Sequence, residues 1–351
     1  MAYPTLNQNK IFAALYNQII SIDTFADNVS DNYSELVDAA RVDGSLYGDS
    51  KVYISTDCLK SYPWDYSDTN ILETKRPPSP ETQVITLDVF RQIAVTVDNY
   101  LSKQAFATEG AFSQFNSVVL GWIQDTKRIY DITTYNAFVG TAKSQIGKQT
   151  IEVTLSGITA TGEEKNRLRA QMIAESIANL IVNLKDVSRD YNDYGFLRSY
   201  SNEAIKIVFN TKFVNEITKL DLPTIFHKEG LVDKFDQYVL PSRFFGEVNA
   251  GSTQGNGTTI RSLIEQDIGS NHYFAGDLIK SGDTAPEGTS YTADENVICK
   301  VLIKLPPYIS SMEVQTSFFN PKALVDNHWL TFGRNTLTYL KNYPMITVHA
   351  D

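Results

Sequence analysis

"TQVITLDVFRQIAVTVDNY", residues 82–100, limits what this chain can fold into more than any other stretch. Gln83, Ile85, Leu87, Val89, Arg91, Ile93, Val95 and Val97 alternate with Val84, Thr86, Asp88, Phe90, Gln92, Ala94 and Thr96. A period of two, rich in β-branched residues, is the pattern of a strand with one face toward a core. Residues 82–97 would reach about 50 Å at strand rise, two to three times the usual strand of a globular domain. The stretch therefore reads as one side of a long hairpin that protrudes from the body, with residues 51–74 as the return side. "KRPPSPET", residues 75–82, carries three prolines in four positions and is expected to be extended and exposed.

The second constraint follows directly. "EGAFSQFNSVVLGWIQDTKRIYDITTYNAF", residues 109–138, has no proline. Phe112, Phe115, Val119, Trp122, Thr126, Ile129, Thr133 and Ala137 recur at steps of three and four, which predicts an amphipathic helix from Ala111 to Val139, about 43 Å long. The pattern places Trp122 on the buried face beside Phe115 and Ile129. It places Gln114, Ser117, Gln124, Asp125, Lys127, Arg128 and Asp131 on the opposite, polar side.

Around these two rods the remaining elements are ordinary. Residues 7–21 and 24–41 read as helices, and "DGSLYGDS" at 43–50 interrupts them. "KVYIST" and "KQTIEVTLSG" are strand-like. Residues 161–188 form a helix, capped by Thr161, with Leu168, Met172, Ile173, Ile177, Leu180, Ile181 and Leu184 on one face. "AIKIVFN" reads as a buried strand before a short helix at 212–219, and "NAGSTQGNGTT" as a flexible loop. "NVICKVLIKLPPYI" is a strand stopped by Pro306 and Pro307, and the tail from Leu330 makes two closing strands. Strands and helices in this order give an α+β chain.

Chemistry is hard to find. "GSTQGNGTT" lacks the lysine of a phosphate-binding loop, and no dinucleotide fingerprint or nucleophile elbow occurs. His227, His272, His328 and His349 are scattered without metal-ligand spacing, and Cys58 and Cys299 read as two reduced thiols rather than a disulfide framework. Glu163 and Glu164 sit where a helix dipole favours acids. No catalytic, cofactor-binding or metal-binding residue is assigned, and no enzyme is expected.

Charge and hydropathy remove further classes. Net charge is −10. In the first 50 residues Lys10 and Arg41 stand against seven acids (Asp23, Asp27, Asp31, Glu35, Asp38, Asp43, Asp49), a balance of 2 − 7 = −5. A protein that neutralises nucleic-acid phosphates needs a basic stripe, and none is present. The chain has no run of 18 apolar residues and no secretory signal, so no membrane partner is expected.

The order of elements, an acidic helical arm, a long hairpin, a long helix, an α+β lobe and closing strands, resembles the major capsid proteins of tailed double-stranded DNA phages, with the Hong Kong 97-type fold. "RVDGSLYGD" (41–49), "TDCLKSYPW" (56–64), "FRQIAVTVDNYLSKQAF" (90–106) and "EGAFSQFNSVVLGWIQDTKRIYDITTYNAFVGT" (109–141) carry the likeness, which is strongest over residues 7–141. The resemblance implies an N-terminal arm at 1–50, an extended E-loop at 51–98, a peripheral (P) domain with its spine helix at 99–150 and 311–351, and an axial (A) domain at 151–310. It implies a structural protein of the virion that assembles, in the host cytoplasm, into hexameric and pentameric capsomers of an icosahedral shell around double-stranded DNA, without sequence-specific binding and without cofactors. Scaffold, portal and decoration proteins are implied as partners. An encapsulin-like shell of a cellular compartment is the alternative on the same fold. Some members of the family lose an N-terminal scaffolding segment or crosslink through a lysine and an asparagine. Because the chain begins at Met1, no removed segment is expected, and no crosslinking pair is assigned.

The arm gives the first prediction. Residues 7–41 have amphipathic spacing and little apolar surface, so they are expected to dock on another subunit. Deleting residues 1–40 should leave a body that stays in solution and assembles poorly. Particle yield by sedimentation checks this, and normal particles from the truncated chain would refute it.

Overall fold

The computed structural model describes residues 33–43, 50–64, 66, 73–98, 109–142, 144, 150–218, 236–250, 261–262, 266–268, 271–273, 277–278, 289–294 and 296–351. The expected helix at 7–21, most of the loop at 249–259 and His227 lie outside them. Helices α1–α4 are Glu35–Ala40, Glu109–Thr141, Glu163–Lys185 and Thr211–Thr218. Strands β1–β7 are Arg41–Asp43, Ser50–Ser55, Glu81–Asp98, Thr150–Val153, Lys206–Asn210, Asp236–Leu240 and Gly246–Ala250. The short strands β8–β12 are Arg261–Ser262, Gln266–Ile268, Asn271–Tyr273, Asp277–Leu278 and Thr289–Ala293. Strands β13–β16 are Val297–Leu302, Tyr308–Asn320, Val325–Asn335 and Met345–Ala350. The chain divides into two units, one of residues 1–49, 87–132 and 308–336, the other of 50–86, 133–307 and 337–351.

In the first unit β3 finds its main partner in β15, far along the chain. Their antiparallel register runs from Val325 opposite Asp98 to Arg334 opposite Val89. β14 pairs antiparallel with the other edge of β15, and β1 adds three residues parallel to Tyr308–Ser310. The alternation read in residues 82–97 is kept along β3: Gln83 to Val97 in odd steps turn inward or stay half-covered, while Val84, Thr86, Phe90, Gln92, Ala94 and Thr96 are exposed.

The hairpin expectation needs correction. Among the described residues only Ser50–Ser55 returns along β3, against Glu81–Thr86. Residues 51–74 do not form a continuous return side. The partner changes near Leu87, where the ladder with β15 is bulged between Arg334 and Asn335. Alternation fixes which face of a strand is covered. It does not say which strand lies beside it, so one pattern served two partners. Residues 24–41 also divide differently, into the short helix α1 and strand β1 among the described residues, and this end of the arm is held within its own subunit rather than left for a neighbour: Leu36, Val37 and Ala40 are buried, and Arg41 pairs along β14.

The helix α2 runs for 33 residues, about 50 Å at 1.5 Å per residue. Its buried face is rotated from the one expected. Ile123, Lys127, Tyr130, Asp131, Thr134 and Tyr135 are covered, Trp122 is half-buried, and Ile129 is 40% exposed. Gln124 is exposed, as its position on the polar side implied. The side chain of Phe115 lies outside the described residues. Lys127 and Asp131, at 5% and 2% exposure, were assigned to the polar side because they are charged. They are buried as a pair, Lys127 Nζ lying 3.1 Å from Asp131 Oδ2 one helical turn away. A paired charge can occupy a core position that a hydrophobicity pattern reserves for apolar residues.

The second unit is a sheet with the order β4-β16-β13-β5-β6, covered on one face by α3. Ile173, Ile177, Leu180, Ile181 and Leu184 of that helix pack with Ile207, Phe209, Val301, Ile346 and Val348. Its N-cap is Gly162, at φ +66°, and not Thr161; no side chain caps it. Glycine takes this left-handed backbone without the Cβ penalty. β13 is buried at every position, including Lys300, whose Nζ donates to the Ala142 carbonyl at 2.7 Å, and β14 begins immediately after Pro306 and Pro307. The last turn of α2 meets the backbone at Phe244 so closely that a Cβ on Gly140 would lie 2.0 Å from its carbonyl oxygen.

The rotated face makes a direct prediction. Ile123→Ala should cost about 2–5 kcal/mol of subunit stability, and Gln124→Ala less than about 0.5 kcal/mol. Thermal or denaturant melts of the two variants as unassembled subunits check the rotation, and equal losses would refute it.

Candidate functional site

Two constructions stand out from the ordinary core. One is the exposed hairpin arm of the second unit and its root. The other is a buried charge cluster in the first.

The arm begins where β2 ends. Every described residue from Cys58 to Thr82 is exposed, including Leu59, Tyr62, Trp64 and Tyr66, with Trp64 89% accessible. Tyr62 carries Lys75 over its ring at 4.0 Å, and the Trp64 and Tyr66 rings are tilted neighbours at 6.2 Å. The prolines of "KRPPSP" hold their stretch out of any ladder, as expected, because they lack the N–H that pairing needs. A segment this aromatic and this open has no core of its own.

Its root, by contrast, is tied down. Asp57 Oδ1 accepts the N–H of Leu197 at 2.9 Å and of Cys58 at 2.8 Å. Arg189 donates to Asp57 Oδ2 at 2.6 Å and to the Gly195 carbonyl at 2.8 Å. Arg198 donates to the Thr56 carbonyl at 2.6 Å. On the β3 side Gln83 bridges Tyr339 and Lys341 through its amide, at 2.8 and 3.0 Å. The Leu197 amide, followed by Arg189, holds the Asp57 carboxyl down to about 2. Nothing in the sequence pairs Asp57 with residues 132 and 140 positions away, so this anchor was not foreseen.

The charge cluster surrounds Asp131. Tyr308 donates its hydroxyl to Asp131 Oδ1 at 2.5 Å, and Lys127 and Arg41 lie 3.1 and 3.6 Å from Oδ2. Lys127 also reaches Glu313 at 3.5 Å. One turn along, Arg334 donates to the Tyr130 hydroxyl at 2.6 Å, and Asn335 accepts the Ile309 N–H at 2.8 Å. Burial, reinforced by the neighbouring Asp131 charge, pushes the Tyr308 phenol well above its ordinary value, so it remains a donor. Each of these groups has a structural partner.

The histidines and cysteines do not converge. His328 is half-buried in β15. His349 lies 2.9 Å from Glu152 and 3.0 Å from Asp294 through its two ring nitrogens. Cys58 is exposed and Cys299 buried, both free, and burial raises the Cys299 thiol. Among the described residues no group of three or more His, Cys, Asp or Glu could hold a metal ion, and no helix is long and apolar enough to cross a membrane.

The root predicts a sign for pH. A carboxyl held at about 2 in the fold, against about 3.9 when unfolded, contributes stability that is present above the unfolded value and lost as pH falls through the folded one. Asp57→Asn should raise amide exchange at Leu197 and Cys58 several-fold at pH 5. The gap from the unsubstituted protein should shrink as pH is lowered from 4 to 2. Site-resolved hydrogen exchange checks both, and unchanged protection at pH 5 would refute the anchor.

Compared with solved structures, the chain is similar to one in the capsid structure of Staphylococcus phage Andhra, at 14% identity over 92% of this chain and 85% of that one, with a TM-score of 0.60. It is also similar to a chain in the structure of the head fiber and inner core protein of native bacteriophage P68, at 13% identity over 88% and 83%, with a TM-score of 0.59. At these identities the likeness concerns the fold, and it agrees with the Hong Kong 97-type architecture expected from the sequence. No curated protein matches the chain. The model of the Phi29-like phage major capsid proteins matches residues 2–338. An encapsulin-like shell is therefore not favoured. The chain belongs to the Phi29-like phage major capsid protein family, and its role is that of a structural protein of a bacteriophage capsid.

Proposed function

We propose that this major capsid protein assembles through hexameric and pentameric capsomers into the icosahedral shell that encloses the double-stranded DNA of a tailed phage. The observation that carries this reading is the arm: an exposed aromatic segment held on a root of charged hydrogen bonds, which is what a subunit needs to reach a neighbour in a fixed direction. Residues 1–50 act as the N-terminal arm, 51–98 as the E-loop, 99–150 and 311–351 as the P domain, and 151–310 as the A domain. The net charge of −10 suits a wall that does not hold DNA during filling. Assembly takes place in the host cytoplasm, with portal, scaffold or decoration proteins as further partners, and the protein catalyses no reaction.

Two measurements test this. Electron microscopy of the purified protein, alone and with a scaffold, should show capsomers or closed shells. Trypsin should cut free subunits quickly after Lys75, which lies in the exposed stretch and is not followed by proline, and cut assembled particles at least tenfold more slowly. Equal cleavage before and after assembly would remove the arm from the interface. A chain that remains a monomer under all assembly conditions would overturn the shell reading itself.

A further inference from the structure

Among the described strands, β14 is covered at its start and exposed beyond it. Its first three residues carry β1 on one edge, and the opposite edge pairs with β15. Beyond Ser310 no described strand pairs with the first edge. From Glu313 to Phe319 every residue is exposed, so neither face of this stretch is buried. Val314, Phe318 and Phe319 are among the exposed large apolar residues, with Phe318 at 59%. The segment "EVQTSFFN" has no glycine or proline and a single charge. An open edge with that composition is a template for another strand.

We propose that the free edge of β14 pairs antiparallel with the same edge of β14 in a second copy of this chain, about a twofold axis at Thr316. The inference rests on the shell reading, which supplies the second copy. The sequence itself selects the partner and the direction. A twofold axis perpendicular to the sheet keeps each side chain on its own face, so directly opposed residues have the same parity. Centred on Thr316, the pairing sets Val314 opposite the partner's Phe318 twice, Gln315 opposite Ser317, and Thr316 opposite its own copy. Aromatic with β-branched pairs and threonine pairs are the favourable cross-strand combinations. Glu313, the one charge, then falls opposite Phe319, about 20 Å from its symmetry mate at strand rise. A parallel in-register pairing would instead stack Glu313 on Glu313, which like charges disfavour.

Two experiments decide it. In the unsubstituted protein, amide exchange over residues 313–320 should slow at least tenfold between free subunits and particles. In a Cys58→Ser background, Thr316→Cys should give disulfide-linked dimers on mild oxidation of particles, whereas Asn320→Cys, whose symmetry mate would be eight residues away, should not. Protection with no excess of dimer from Thr316→Cys means that another strand covers the edge and overturns the twofold pairing. Absence of protection in well-formed particles overturns the proposal while leaving the shell reading intact. If the cysteine variants do not assemble, the exchange measurement decides. If the unsubstituted chain forms no particles, the shell reading fails and this pairing fails with it.

Discussion

The carboxylate of Asp131 is the constraint on which the first unit depends. It sits at 2% exposure and must be satisfied from every side. It takes the hydroxyl of Tyr308 at the start of β14, the ammonium of Lys127 one turn back along α2, and the guanidinium of Arg41 from β1. Three separated stretches of sequence are thus brought to one point. Removing Lys127, the buried cationic partner, would leave a buried carboxylate with weaker compensation, which is more costly than losing a surface pair. This explains why the long helix is turned to cover Ile123 and Tyr130 and leaves Ile129 open. The rotation follows the one position that cannot tolerate a partial match.

The same demand accounts for what could and could not be read from the sequence. β3 was legible along its whole length, because alternation of Gln83 to Val97 with their neighbours records which face is covered, and coverage is a local property of each residue. The extent of α2 was legible for the same reason. Its rotation was not, because Lys127 and Asp131 are polar by type and buried by pairing, and the pairing involves Tyr308, 177 positions away. β14 was not recognised at all. From Glu313 to Phe319 it is exposed on both faces, so it lacks the alternation that coverage by a core imposes. The root of the arm was missed on similar grounds: Asp57 looks like any loop aspartate until Leu197 and Arg189 are brought to it.

A different kind of information is carried by what the fold leaves open. Scattered exposed apolar residues are normal on a protein surface, and many here are scattered, but two extended segments each carry several, aromatics among them. One is the arm with Leu59, Tyr62, Trp64 and Tyr66, and the other is the outer stretch of β14 with Val314, Phe318 and Phe319. The described residues of both segments are exposed. In a chain that ends as a monomer both would invite aggregation. In a capsid protein, whose place is in an assembly, such surfaces suit contact with neighbouring subunits, and subunit order there is linked to subunit concentration.

The ties that hold these surfaces follow from that role. The described residues of the arm beyond Asp57 are exposed, and its base is tied down, where Asp57 alone gathers two backbone amides and a guanidinium. Fixing the base lowers the conformational freedom that docking would otherwise remove, and preorganisation of this kind strengthens binding without adding contacts. β14 is treated in the same way. Its beginning is locked by Tyr308 on Asp131 and by the Ile309 amide on Asn335, and its end is released to solvent. In both segments the buried hydrogen bonds lie at the root and the exposed aromatics beyond it. If these segments are the ones that meet neighbours, holding them in a fixed direction beforehand would let weak individual contacts close into one defined geometry.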